Sequence, residues 1–212
     1  MRDLVIFIPS IEGGGVEKNL FYITKYIGSK FDKIFVITAD KVNRDQFGKK
    51  IKLITPKSNF FNDKNRILKS IICLYLLLIR FKNRDILIFS LQSSLFSTVV
   101  SKMINSKLII RLNTSPEKYS SIFYKKYLFK FLYSFADEII VNSQEFKKNL
   151  YKYFRLKSKV ILNPIKARNR KKKINFFKKF KGLKILSIGR LTHQKDHMTL
   201  LKALNMLKKK HK

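Results

Sequence analysis

Short apolar runs of strand type alternate with helical patterns along almost the whole chain. Between the first two runs, apolar residues recur at the helical spacing i, i+4, i+7 and i+11: Val16, Leu20, Ile23 and Ile27. Continuous apolar strands separated by helices indicate a parallel sheet that is covered on both faces. The sequence therefore predicts an α/β fold with a doubly wound parallel sheet and right-handed crossovers. Eight runs predict its strands: 4–8, 33–38, 51–54, 85–89, 107–111, 138–141, 159–162 and 184–188.

A dense run of cations interrupts this alternation. Residues 164–182 begin with a proline, continue with lysines and arginines without a clean helical period, and end with a glycine. This composition predicts a basic linker after an N-terminal domain that spans 1–163; a disordered basic tail is the alternative. Residues 183–212 then predict one strand, a loop and a helix. Such a unit cannot bury its own faces, so we expect it to be the incomplete start of a second domain.

The charge of the chain is strongly positive. Lysine and arginine number 47 against 13 aspartates and glutamates, which gives a net charge of +34. A charge of this size attracts phosphates, nucleic acids or lipid head groups, although a compositional bias toward lysine explains it equally well. No helix-turn-helix, zinc-finger or RNA-binding signature accompanies the charge, so no nucleic-acid partner is expected.

The cysteine content and the apolar runs bear on the environment of the chain. Cys73 is the only cysteine, which rules out an intrachain disulfide and a cysteine zinc cluster. The longest apolar run, 71–79, has nine residues, whereas a spanning helix needs about twenty. We therefore expect a cytoplasmic protein.

Three consecutive glycines follow the first predicted strand, in the stretch "IPSIEGGGVEKNL". Gly13, Gly14 and Gly15 let the backbone approach a ligand closely, and the helix that follows presents unpaired N–H groups and a positive dipole end. Such a junction can hold an anion or admit a sugar. Together with Glu17 it forms the predicted acceptor or phosphate loop; a flexible turn is the alternative. It matches neither the dinucleotide fingerprint nor a P-loop.

A second loop, "GRLTHQKD", follows the last predicted strand. Gly189, Arg190 and Lys195 could hold a diphosphate there, because a guanidinium and an ammonium can bind it from two sides. A solvated basic turn is the alternative. The three histidines have no cysteine or close acidic partners, and no Asp-x-Asp pair occurs, so no metal site is predicted.

Further candidates lie where other predicted strands end. Arg111 and Asn113 could line a cleft at the carboxyl edge of the sheet, although turn chemistry explains Asn113 as well. Ser143 is a third candidate, for which an N-cap is the stronger interpretation.

These pieces, in chain order, resemble glycosyltransferase family 4, whose enzymes have two facing Rossmann-like domains, the GT-B architecture. The resemblance rests on "GGGVEKNL", on "ADEIIVNSQEFKKNLYKYF" followed by "KVILNPI", and above all on "SIGRLTHQKDHMTLLKAL". It covers the whole chain, but only the first half of such an enzyme. Asn163 is a cleft candidate by this resemblance, although Pro164 stands where the family usually has glycine.

The resemblance implies an activity and roles for the two loops. Family members transfer a sugar from a nucleotide-sugar donor to a glycan or lipid-linked acceptor, with retention of configuration and without a metal or other cofactor. By the resemblance, Gly13, Gly14 and Gly15 face the cleft near the acceptor and the donor phosphates, and Arg190 and Lys195 contact the donor diphosphate. The expected function is surface polysaccharide or glycolipid synthesis. A non-catalytic remnant, or a subunit of a split enzyme with a separately encoded second half, is the alternative.

One predicted helix suggests a membrane contact. The stretch "SSIFYKKYLFKFLYSF", residues 120–135, interleaves lysines with aromatic rings. This pattern suits peripheral docking on an anionic inner membrane, where lipid-linked acceptors lie. A buried helix with snorkelling lysines is the alternative.

Overall fold

The computed structural model describes residues 3–11, 14–28, 30–48, 50–58, 61, 64–114, 123–165, 185–189, 191 and 195–210. Its contacts divide the chain into two compact units, Met1–Ile165 and Lys166–Lys212. In the part of the chain that the structure describes, no helix is both long and apolar enough to cross a membrane.

The first unit is built on a parallel sheet of seven strands in the order β3-β2-β1-β4-β5-β6-β7. Parallel pairing places β1 at the centre, with Leu4 beside Ile34 of β2 and Leu87 of β4. This arrangement confirms the predicted α/β class. The strands are β1 Asp3–Phe7, β2 Ile34–Ile37, β3 Ile51–Ile54, β4 Ile86–Ser90, β5 Lys107–Arg111, β6 Glu138–Val141 and β7 Lys159–Val160.

Helices connect these strands, and several begin at a polar cap. Asn65 accepts a hydrogen bond from the Leu68 N–H at the start of α2, and Ser143 accepts one from the Phe146 N–H at the start of α5. A 3-10 turn, Arg44–Gln46, lies between β2 and β3. The helices of the first unit are α1 Gly15–Ile27, α2 Arg66–Phe81, α3 Ser94–Met103, α4 Phe123–Ser134 and α5 Gln144–Phe154.

Alternate strand residues supply two separate cores. Val5 and Phe7 of β1 join the cluster formed with α2, α3, α4 and α5, whereas Leu4 and Ile6 join the cluster formed with α1. Successive side chains of a strand point to opposite faces, so each strand needs apolar residues throughout. The two cores explain why the strands read as continuous apolar runs, and the sheet is doubly wound as predicted.

The described part of the second unit contains one helix, α6 His197–Lys210, and no strand at 185–188, the described residues of the strand predicted at 184–188. Residues 185–188 have no strand geometry, and Ile185, Leu186 and Ile188 are exposed. The strand prediction was therefore wrong for these residues. A strand requires a neighbour for its backbone N–H and C=O groups, and the described residues of this unit offer none. Most of the predicted linker, 166–182, lies outside the described residues.

Candidate functional site

The strand order reverses between β1 and β4, which opens a crevice at the carboxyl edge of the sheet. The chain leaves β1 toward the face covered by α1, and it leaves β4 toward the opposite face, where α3 packs. In open α/β sheets, ligands bind outside the carboxyl ends of the strands at this point. The Ser10 N–H donates to Gln92 Oε1 at 3.2 Å, so the two diverging loops are joined at the mouth of the crevice.

The described part of the glycine junction, Gly14 and Gly15, follows β1, where the strand order reverses. Gly14 is the N-cap of α1 in an extended conformation, and a Cβ placed on it would lie 2.8 Å from Glu17 Oε2. A Cβ on Gly15 would meet nothing within 4 Å. Glycine at position 14 thus lets the Glu17 carboxylate fold back against the start of the helix, where the dipole favours a negative charge. Gly13 lies outside the described residues.

Glu17 itself is almost fully buried, with 4% of its surface exposed. Its Oε2 atom has no hydrogen-bond partner among the described residues. A buried carboxylate oxygen without a donor is costly, and such groups in native proteins call for an explanation. A hydroxyl or N–H donor on a ligand would supply the missing hydrogen bond.

A buried ion pair supports the entrance to the glycine junction. Lys69 Nζ lies 2.6 Å from Asp40 Oδ1, and their side chains are only 8% and 11% exposed. The other carboxylate oxygen accepts hydrogen bonds from the Ile11 N–H at 2.7 Å and from the Ser10 hydroxyl at 3.3 Å. We call Ser10, Asp40 and Lys69 the ion-pair cluster. It fixes the backbone that leads from β1 into the glycines.

The sequence analysis did not predict this ion pair, although the positions of both residues in the sequence indicate it. Asp40 follows the apolar strand β2 at its carboxyl end, where site residues are expected. Lys69 stands one turn before Cys73 and two turns before Leu77, so it occupies the buried stripe of α2. A charged residue on an apolar stripe predicts a buried partner.

Cys73 packs beneath the ion pair and is buried. The pKa of its thiol is raised to about 12, mainly by burial and also by the Asp40 charge, while the Lys69 charge lowers it. Because the thiolate is the nucleophilic form, this cysteine is chemically inert near neutral pH.

A second polar group links the far strands to α1. Arg111, the last residue of β5, donates through Nη2 to the Ile161 carbonyl and to Asn163 Oδ1, both at 2.9 Å. Asn163 Oδ1 also accepts from Asn19 Nδ2 at 2.9 Å. We call Asn19, Arg111 and Asn163 the arginine cluster. Two of its members, Arg111 and Asn163, were predicted cleft residues; Asn19 was not, because its partner is distant in sequence.

The charge of Arg111 is poorly compensated. The residue is 3% exposed, and burial lowers the pKa of its guanidinium. Its hydrogen bonds within the described part of the chain go to neutral oxygens of Ile161 and Asn163, and its Nε atom has no partner there. A buried cation that lacks a carboxylate partner favours an anionic ligand.

The other two cleft candidates have structural partners. Asn113 Nδ2 donates to the Leu91 carbonyl at 2.9 Å, which joins the ends of β5 and β4. Ser143 Oγ accepts from the Phe146 N–H at 3.1 Å, so the N-cap interpretation of this residue is confirmed. Both side chains stabilise the edge that carries the crevice.

The turn between β4 and α3 was not predicted to be unusual. Ser93 adopts a left-handed conformation with φ of 54°, and its hydroxyl lies 2.6 Å from that of Ser70 on α2. A left-handed residue other than glycine costs energy and persists where its surroundings fix it. The turn is thereby held next to the crevice.

In the second unit, the described part of the predicted diphosphate loop places two side chains around a glycine. A Cβ on Gly189 would lie 3.2 Å from His197 Nε2 and 3.3 Å from Lys195 Cγ. Glycine therefore allows close packing at this position. Lys195 is exposed, and Arg190 lies outside the described residues. Within the described residues, no group of three histidine, cysteine, aspartate or glutamate side chains could hold a metal ion.

Comparison with known proteins gives a structural likeness without a sequence match. No family model and no curated protein matches the chain. Three solved structures of HepE from Anabaena are similar, each at 19% identity over 78% of this chain. The complex with UDP has a TM-score of 0.54 and is covered over 44% of its length. The complex with UDP and glucose has a TM-score of 0.56 and is covered over 45% of its length. The complex with UDP-glucose has a TM-score of 0.56 and is covered over 44% of its length.

The likeness to HepE concerns the fold. The chain spans about 44–45% of the length of the HepE structures that it matches. The shared part has the Rossmann-like, parallel α/β architecture of the GT-B type.

Proposed function

We propose that this chain is the acceptor-side part of a glycosyltransferase of family 4 type that uses a nucleotide-sugar donor. The sugar passes to a glycan or lipid-linked acceptor on the cytoplasmic side of the cell membrane, with retention of configuration and without a metal. Arg111 carries this proposal, because it is buried at the carboxyl edge of the sheet and has no anionic partner in the described part of the chain. It suits a phosphate-bearing ligand, and HepE, which has a similar fold, binds UDP and UDP-glucose.

Each part of the site has a role in the proposed reaction. The glycine junction admits the acceptor and the donor sugar close to the backbone, and the start of α1 offers N–H groups to an anion. Glu17 Oε2 accepts a hydrogen bond from a sugar hydroxyl. Arg111 contributes positive charge as the diphosphate leaves, when negative charge develops on its oxygens.

The resemblance to family 4 gives the second unit a proposed role in binding the donor. Arg190 and Lys195 are proposed to contact the donor diphosphate, as the resemblance to family 4 implies. A donor pocket of this type needs further residues from a second domain, which in a split enzyme come from a separately encoded chain. The ion-pair cluster has no part in the chemistry and instead holds the entrance to the glycine junction.

A donor panel tests the proposal. The 212-residue chain is incubated with UDP- and GDP-activated sugars and a lipid extract of the source organism, and release of nucleoside diphosphate and transfer of labelled sugar are measured. A parallel reaction contains the co-expressed second half. We expect transfer from one donor class, with the anomeric configuration retained in the product as read by NMR.

Two variants test whether sugar transfer depends on Arg111. Arg111→Met is expected to reduce transfer at least tenfold, whereas Lys159→Met, which removes an exposed cation paired with Glu138, leaves it unchanged. Transfer in neither reaction, together with no binding of any nucleotide-sugar, would contradict the proposal. Transfer only in the reaction with the second half would show that the donor pocket needs residues from that half.

A further inference from the structure

Three neighbouring helices cover one face of the sheet and turn their other sides outward. Inward, Cys73 and Leu77 of α2 and Val100 of α3 join the core beneath them. Helix α3 contacts α2 on one side and α4 on the other. The outward sides of α2, α3 and α4 therefore adjoin one another, and we call them the three-helix face.

This face carries large apolar side chains that remain exposed. On α2, Ile67, Ile71, Tyr75 and Ile79 recur every four residues and are 53–61% exposed. A helix in a soluble domain normally keeps its apolar stripe toward the core and polar residues outward, but α2 is apolar on both sides. The stripe continues on α3 and α4 with Phe96, Val99, Met103, Phe123, Tyr124, Tyr127, Leu128 and Phe131.

Single exposed apolar residues are normal, but a patch that extends across three helices indicates an interaction surface. The aromatic content points in the same direction. Four rings stand exposed on α4 alone, and the Phe123 and Tyr127 rings lie 4.6 Å apart between centres. Tyrosine and phenylalanine rings are suited to an interface that is apolar on one side and wet on the other.

The charges of the three-helix face have one sign. The segments 66–81, 94–103 and 123–134 contain no aspartate or glutamate, whereas α1 and α5 each carry a glutamate in the first turn. Cations lie beside two rings: Lys102 Nζ is 5.4 Å from the centre of the half-buried Phe135 ring, and Lys125 Nζ is 5.9 Å from that of the exposed Tyr124. The exposed cations of these helices are Arg66, Arg80, Lys102 and Lys130, and Lys125 and Lys126 are half-buried.

We infer that the three-helix face docks on the surface of an anionic lipid bilayer, with its rings and aliphatic side chains in the head-group region and its lysines and arginines at the lipid phosphates. A lipid surface is the partner that combines an apolar layer with dense negative charge. The sequence suggested such a contact for residues 120–135 alone. The structure adds α2 and α3, which carry aliphatic side chains on the same face. The inference does not depend on the sugar-transfer proposal.

A tryptophan reporter tests the orientation, because the chain contains no native tryptophan. Phe131→Trp places the reporter on the three-helix face, and Tyr26→Trp places the matched control on exposed α1, which packs on the opposite face of the sheet. Vesicles of phosphatidylcholine with about 30 mol% phosphatidylglycerol are added at low salt. We expect a blue shift and protection from quenching for Phe131→Trp, with neither change for Tyr26→Trp.

Sedimentation with the same vesicles tests whether the exposed apolar side chains of the three-helix face contribute to vesicle binding. Ile71→Ser combined with Tyr75→Ser, both exposed positions, is expected to lower vesicle partition at least tenfold while the circular dichroism spectrum is unchanged. The control Tyr26→Ser should partition like the wild type. Pure phosphatidylcholine vesicles should bind little.

Three results would overturn the inference. The first is no sedimentation of the wild-type chain with anionic vesicles at low salt. The second is equal partition of the wild type and Ile71→Ser/Tyr75→Ser, which would attribute binding to the net charge alone. The third is tighter, face-dependent binding to soluble polyglutamate than to vesicles, which would assign the face to an acidic protein.

Discussion

The ion-pair cluster and the arginine cluster lie at the same edge of the sheet and both bury a cation, but they differ in what surrounds that cation. Lys69 contacts the carboxylate of Asp40, whose remaining oxygen accepts two hydrogen bonds. Arg111 contacts neutral oxygens of Ile161 and Asn163. The first cluster is complete without a ligand, whereas the guanidinium of the second has no anionic partner among the residues that the structure describes.

This difference separates a structural role from a binding role. A buried ion pair is strongly coupled, so removing one member leaves the other charged and unpaired. A buried guanidinium can persist with neutral hydrogen-bond acceptors, but a bound anion would compensate its positive charge. We therefore expect variants of the ion-pair cluster to lower mainly the free energy of unfolding. Variants of the arginine cluster should weaken mainly the binding of an anionic ligand.

The largest effect on stability is expected from Lys69→Met. The substitution leaves Asp40 buried without its cation, which should lower the free energy of unfolding by about 3–5 kcal/mol. Urea unfolding followed by circular dichroism measures it. The control Lys159→Met breaks an ion pair of similar length, 2.7 Å, whose side chains are 68% and 41% exposed, and should cost about 0–1 kcal/mol. A similar loss in both variants would contradict the structural role of the buried pair.

A smaller loss of stability is expected from Arg111→Met. The groups that lose their donor are the Ile161 carbonyl and Asn163 Oδ1, which are neutral, so we expect a cost of about 1–3 kcal/mol. The same urea experiment measures it against Lys69→Met. A loss larger than that of Lys69→Met would mean that the arginine cluster is the main structural support of this edge.

The glycine junction offers a matched pair of substitutions with effects below about 1 kcal/mol. Gly14→Ala places a methyl group 2.8 Å from Glu17 Oε2 and forces the carboxylate to move, whereas Gly15→Ala meets open space. We expect sugar transfer to fall in Gly14→Ala and to persist in Gly15→Ala, with both variants folded. Equal activities would show that the position of the Glu17 carboxylate does not matter.

The rate at which a reagent labels the Cys73 thiol reports on the stability that the ion-pair cluster provides. With a pKa of about 12, only about one thiol in 10⁴ is ionised at pH 8, so labelling by a thiol reagent should be limited by unfolding. The raised pKa also means that the stabilising effect of the neutral thiol is present below about pH 9 and is lost as the pH rises toward 12. Labelling should accelerate in Lys69→Met about tenfold for each 1.4 kcal/mol by which the free energy of unfolding falls. Fast labelling of the wild type at pH 8 would contradict the burial.

The sequence predicted the parts of this molecule that depend on local pattern. Continuous apolar runs identify the seven strands because each is covered on both faces, and Ser143 is recognisable as a cap from its position before a helix. The strand expected at 184–188 was wrong because pairing needs a neighbour that a local pattern cannot supply.

The polar clusters were harder to predict because their members are far apart in the chain. Asn19 bonds a residue 144 positions away, and Asp40, in the loop after β2, pairs with Lys69 of α2. Arg111 was identified from its place at the end of a strand, but its two acceptors follow from the arrangement of β5 and β7 in the sheet. Strand order decides such contacts, and strand order is a tertiary property.

The uncompensated charge of Arg111 is tested most directly by a calorimetric titration of UDP-glucose into the wild-type chain and into Asn163→Asp. This isosteric change keeps the guanidinium and gives it a carboxylate partner in place of a neutral oxygen. We expect Asn163→Asp to bind UDP-glucose at least tenfold more weakly than the wild type, with its free energy of unfolding unchanged or raised. Equal affinity for UDP-glucose in the two proteins would contradict it.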